Sequence, residues 1–135
     1  MSKVIVDTDV VSYAFREATE YAPYGKELEN KIAYISFMTW AELMRGSLSR
    51  KWGDKRRRKL ADFVKSTYVV IESKEAINRA WGEVIEEARE KGRVIRTADA
   101  WIAATAAATG VPLMSNNRAD FECLDSIQLI SFAPE

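Results

Sequence analysis

Histidine is absent from this 135-residue chain, and cysteine occurs once, at Cys123. Those two gaps exclude Ser-His-Asp and Cys-His nucleophilic sites, zinc centres built on His or Cys clusters, intramolecular disulfides and histidine-based acid–base cleavage of RNA. No apolar run reaches the length of a membrane span, and the N-terminus lacks a charged segment followed by a leader-like apolar stretch, so a cytoplasmic protein with no membrane partner is expected. Excess charge is missing too. Twenty Lys and Arg balance twenty Asp and Glu, so global charge points to no partner. There is also no internal repeat, low-complexity tract or linker. What remains is a hydrophobic content of 47%, ample for a core, in a length that suits one domain spanning 1–135. If the chain is an enzyme, its chemistry rests on carboxylates, with or without a hard metal ion.

Apolar patterning predicts strands at Lys3–Asp7, 32–37 (IAYISF), 68–72 (YVVIE), 112–115 (PLMS) and 127–132 (IQLISF). Helices are expected between them. One begins near Val10, and a short polar one follows Pro23 and Gly25. A third is capped by Thr39, and a basic one follows Gly53-Asp54. A strongly periodic helix ends at Gly92, and a very apolar one runs from a Thr97 cap to Gly110. Strands alternating with helices imply an α/β fold around a central, mostly parallel five-stranded sheet flanked by helices.

Ligands in open α/β sheets bind beyond the carboxyl ends of the strands, where strand order reverses. Several acids collect at that edge. Asp7 ends the first strand and Asp9 follows it, Glu42 and Asp99 lie in the first turns of two helices, and Asp120 follows the fourth strand. Each has a structural reading. Thr39 and Glu42 match a T-x-x-E capping box, Asp99 suits a helix N-terminus, Asp9 could cap the first helix, and Asp120 could end a turn. Together they point elsewhere. Carboxylates gathered in one cleft repel each other unless a cation lies among them, and all-oxygen ligation selects Mg²⁺ or Mn²⁺. Such an ion polarises a phosphoryl oxygen and lowers the pKa of a bound water, which suits phosphodiester or phosphomonoester hydrolysis.

Four segments in order, VDTDVVSY, SFMTWAELMRG, DAWIAATA and SNNRADF, resemble the motifs of PIN-domain nucleases, and among them the VapC-type toxins of toxin–antitoxin pairs. Ser115 stands where threonine is usual and keeps the hydroxyl. Asp9 stands where asparagine is common. The resemblance covers Val4 to about Phe132 and implies a PIN-like fold. It also implies Asp7, Glu42, Asp99 and Asp120 as the acidic catalytic cluster, with Asp7, Asp99 and Asp120 holding Mg²⁺ or Mn²⁺. Thr8, Asp9, Ser115 and Asn117 would support and orient those groups. The family's activity is endonucleolytic cleavage of single-stranded or looped RNA by water, leaving a 5′-phosphate and a 3′-hydroxyl. A homodimer and a cognate antitoxin partner are implied as well.

Eight basic residues lie between Arg45 and Lys59. Arg45, Arg50, Lys51, Lys55, Arg56, Arg57 and Arg58 could track an RNA backbone or an acidic antitoxin segment, with Trp52 as a stacking platform. The same run could be a solvated helix face. Trp40, Trp81 and Trp101 read as core or dimer contacts, the alanines from Ala103 to Ala108 as a close-packing surface, and Cys123 as a buried filler. Other classes fit less well. A D-x-D phosphatase wants threonine where Val11 stands and a late acidic pair. A phosphoacceptor regulator wants aspartate where Glu72 stands and a lysine after the fifth strand. A PIN-like module that binds RNA or a partner without cutting stays open.

Overall fold

The computed structural model describes residues 1–134. In β1 (Lys3–Val6), Val4 and Val6 project to one side of the sheet and Ile5 to the other, as the two-residue repeat of a strand requires. Val4 and Val6 pack with Val10 and Val11 of α1 (Thr8–Arg16), Tyr24 of α2 (Ala22–Leu28), Leu43 of α3 (Phe37–Ser49) and Leu60 and Val64 of α4 (Asp54–Thr67). Ile5 packs with Val84 and Ala88 of α5 (Glu75–Glu90), Ala100, Ile102, Ala103 and Ala106 of α6 (Thr97–Thr109) and Phe121 of α7 (Arg118–Phe121). Each fully buried aliphatic side chain stabilises the fold by about 1.5–3 kcal/mol, so both layers are needed.

The remaining strands are β2 (Ile32–Ser36), β3 (Val69–Ile71), β4 (Leu113–Met114) and β5 (Leu129–Ile130). All neighbours pair in parallel, in the order β3-β2-β1-β4-β5. The chain builds outward from β1 to β3 and then returns to β1's other side, so order reverses between β1 and β4. This is the α/β architecture expected. Helix α6 is apolar nearly all round, and from Asp99 to Thr105 every side chain except Trp101 is buried. Its alanines let α5 approach closely, and Gly110 ends it at a positive φ of 71°.

Several boundaries differ from the sequence expectation. Helix α3 starts earlier, at Phe37, because Ser36 caps it by accepting the Met38 N–H at 3.0 Å. Thr39 is therefore inside the helix and buried, and Thr39 and Glu42 form no capping box. Thr97 is the first helical residue of α6, with Arg96 in the cap position and no side-chain cap bond. Helix α1 begins at Thr8 and Asp7 caps it. The helix around Pro23 is polar in sequence, yet it buries Tyr24 to 1% exposure. Cys123 is half-buried against the α5–α6 layer. Trp81 and Trp101 stack with centroids 5.1 Å apart.

Candidate active site

Asp7 leaves β1 at the reversal point, and its carboxylate is nearly inaccessible. It is held from three sides. Its Oδ1 accepts the Thr8 N–H at 2.8 Å, its Oδ2 accepts the Ser115 hydroxyl at 2.6 Å, and its own N–H donates to the Met114 carbonyl at 2.8 Å. Ser115, fully buried just past β4, also accepts the Asn117 N–H at 2.9 Å. The two strands that flank the switch are thus tied through Asp7 and Ser115. Even so, burial, the Asp9 charge and, more weakly, the Asp99 charge push the Asp7 carboxyl up to about 8.

Asp9 sits one helical step on. Its Oδ1 accepts the Val10 N–H at 2.7 Å and its Oδ2 the Asn116 N–H at 3.1 Å, while burial raises its carboxyl above the ordinary range. Asn116 escaped the sequence reading. Its amide donates to the Tyr13 hydroxyl at 3.2 Å and accepts from the Tyr24 hydroxyl at 2.6 Å, and Tyr24 in turn accepts the Phe132 N–H at 3.0 Å. The turn after β4 is thereby clamped to α1, α2 and the C-terminal segment.

Glu42 reaches the same place from α3. Its Oε1 accepts the Thr8 hydroxyl at 2.7 Å, and Thr8 lies 3.0 Å from the buried Thr39 hydroxyl. Thr39 is thus a support for the site rather than a helix cap. Asp99, in the first turn of α6, is buried, and its Oδ2 lacks any hydrogen-bond partner. Arg96 Nε stands 3.7 Å away. Burial raises the Asp99 carboxyl to about 6 against the lowering effect of Arg96, with Asp120 and Glu42 adding to the rise. Asp7, Thr8, Asp9, Glu42, Asp99, Asn116 and Asn117 all border one open cleft of about 520 Å³. Asp120 stays outside its lining. It accepts a hydrogen bond from the Asn117 amide, and its charge adds to the rise of the Asp99 carboxyl.

The cleft has an acidic floor and a basic rim of Arg16, Arg50 and Arg96. Of these, only Arg50 belonged to the stretch expected to contact RNA. Arg16 also borders a second cavity of about 550 Å³, with Phe15, Gly53, Lys55, Arg56 and Lys59, so the basic surface of α4 runs on from the cleft. Arg45 borders a small recess beside Glu42, and Lys51 and Arg58 lie exposed away from these cavities. Arg57 pairs with Asp54. Trp52 is half-buried, with its ring 5.8 Å from Phe15 and the Arg56 guanidinium 4.0 Å from its centroid. Placement of these charges depends on helix packing, so no local sequence signal marked Arg16 or Arg96.

The donors fit a hard divalent ion. They are oxygens only, one buried carboxylate oxygen of Asp99 is without a hydrogen bond, and two acids are held above their ordinary range chiefly by burial. Among the described residues no three carboxylates are gathered into a ready ligand cage.

Residues 4–125 match the family model of the PIN domain. The chain belongs to the PIN-domain family. No curated protein sequence matches it significantly. Among solved structures, this PIN domain is similar to a chain of VapBC2 from Rickettsia felis bound to a promoter DNA fragment, at 24% identity and a TM-score of 0.83, covering 96% of this chain and 98% of that one. It is similar to a chain of DNA-bound VapBC from Salmonella typhimurium at 20% identity and 0.82, covering 97% and 98%. VapBC-1 from nontypeable Haemophilus influenzae gives 21% identity and 0.79, covering 96% and 97%. At such identities the likeness is one of fold.

Proposed function

We propose that this PIN domain is a metal-dependent endoribonuclease, the VapC-type toxin of a toxin–antitoxin pair, acting as a single cytoplasmic domain. The observation that carries the reading is the pair Asp7 and Asp99. Both are buried at the switch point of a parallel sheet, both border one cleft, and burial holds both carboxyls above their ordinary range. The fold similarity to chains of VapBC complexes supports an antitoxin as partner.

In this reading Asp7, Asp99 and Asp120 would hold Mg²⁺ or Mn²⁺. When bound, the ion supplies Lewis acidity toward a phosphoryl oxygen and a lowered water pKa. The protein's own work is positioning. Ser115 and the Thr8 N–H fix the two oxygens of Asp7, the Thr8 hydroxyl aims Glu42 into the cleft, and Asn117 orients Asp120. Glu42 is the group placed to hold a proton of the attacking water. Arg16 and Arg50 receive backbone phosphates at the rim, and Lys55 and Arg56 continue the track. That arrangement lets an acidic site attract a polyanion, which its floor alone would repel. A homodimer completes the proposal.

The test is cleavage of a mixed structured RNA pool in Mg²⁺ or Mn²⁺ and in EDTA, with Asp7→Asn and Asp99→Asn alongside. Metal-dependent cutting lost in both variants is expected. Cutting that survives both substitutions would refute the assignment, and metal-dependent RNA binding without cutting would favour a non-cleaving PIN module.

A further inference from the structure

The Arg96–Asp99 pair joins an exposed residue of the cleft's basic rim to one of its most buried acids. Arg96 is 70% exposed, while the Asp99 side chain is 8% exposed. Their closest approach, 3.7 Å, is too long for a hydrogen bond, so the guanidinium offsets the Asp99 charge without being fixed to it. Asp99 Oδ2 has no other partner, and Arg96 makes no cap bond to the helix that it begins. The guanidinium also borders the cleft together with Arg16 and Arg50. An arginine so placed has two anions within reach of one flexible side chain. The first is Asp99, and the second is whatever phosphate enters the cleft.

We propose that Arg96 is a resident counter-cation of the cleft, which releases Asp99 to an entering divalent cation and then binds a phosphate of the substrate. This rests on the nuclease reading above. The exchange follows from charge alone. A divalent ion on Asp99 repels a guanidinium beside it, and the phosphodiester is then the anion left to pair with. Guanidinium suits that role because its planar donors match phosphate oxygens. Arg96 therefore opposes metal binding in the free protein and favours RNA binding in the metal-loaded one, which are effects of opposite sign from one side chain.

Wild type, Arg96→Gln and Arg96→Lys separate these effects. Mn²⁺ affinity is measured by titration calorimetry without RNA. RNA affinity is measured by anisotropy of a short fluorescent single-stranded RNA of mixed sequence, with Ca²⁺ in place of Mn²⁺. Arg96→Gln is expected to bind Mn²⁺ about fivefold tighter, the scale of one exposed ion pair, and to bind RNA several-fold weaker. Arg96→Lys should stay near wild type in both. An unchanged Mn²⁺ affinity in Arg96→Gln, or two affinities moving in the same direction, overturns the inference while the nuclease reading stands. Wild type that binds no Mn²⁺ overturns the nuclease reading itself, and the role of Arg96 with it.

Discussion

Replacing Asp7 with asparagine should make the metal-free protein less sensitive to rising pH, even as it removes a proposed metal ligand. The Asp7 carboxyl is raised from 3.8 to about 8, chiefly by burial and then by Asp9. Between those values the folded state holds a proton that the unfolded state has released. Stability is therefore full below about pH 4 and falls as pH climbs toward 8, by about 1.4 kcal/mol per pH unit for one proton. From pH 5 to pH 7 the wild type loses roughly 2.5–3 kcal/mol through Asp7, equivalent to roughly 10 °C in Tm for a chain of this size. Asparagine holds no titrating proton. Its carbonyl can still accept the Thr8 N–H, and its amide can donate to Ser115. The Asp99 carboxyl, raised to about 6, contributes its own slope to both proteins and cancels in the comparison. The assay is thermal denaturation by circular dichroism in EDTA at pH 5 and pH 7. The expected result is a Tm gap between Asp7→Asn and wild type that widens in favour of the variant at pH 7. Mg²⁺ should then narrow it by stabilising the wild type alone. A gap that stays constant from pH 5 to pH 7 would refute the claim that Asp7 is buried without its counter-charge.

Two further predictions test the walls of the site. Tyr24→Phe removes the donor to Asn116 and the acceptor for the Phe132 N–H, so it should cost about 1–3 kcal/mol, read as a lower urea midpoint at unchanged slope. Substituting Lys55, Arg56 and Lys59 together with glutamine should weaken RNA binding and lower its dependence on salt, by about 0.7 in log–log slope for each phosphate that is no longer neutralised. An unchanged slope would remove this surface from the RNA path.

The parallel sheet and the convergence of Asp7, Glu42 and Asp99 were legible because strand ends and helix starts in an α/β rhythm fall on one edge. Short-range patterns served less well where tertiary contacts compete with them. T-x-x-E at Thr39–Glu42 has the spacing of a capping box. Ser36, three residues earlier, captures the helix start, and both side chains are then free to meet Thr8 from α1. Tyr24 lies in a polar stretch, and only the approach of Asn116 and Phe132, far away in sequence, gives its hydroxyl partners and makes burial favourable. Asp120 had the spacing of a cleft residue, and it lies in the four-residue helix α7, where it bonds Asn117, which does border the cleft. Arg16 and Arg96 stood in no charge cluster, so nothing local distinguished them from solvated surface.

The link between Asp7 and Ser115 spans 108 residues, and the cleft draws on the chain at 7, 42, 99 and 116. A nascent polypeptide that has emerged only as far as α5 carries Asp7, Asp9 and Glu42 but no wall opposite them. β4 must insert beside β1 before Ser115 can reach Asp7 and before Asn116 can engage Asp9. Non-local pairings of this kind form late and slowly. For a protein proposed to cut RNA, whose own translation unrolls along an RNA, activity is thus deferred until the chain has been made beyond Asn116. The order in which the parallel sheet closes acts as a clock on the damage that the protein can do.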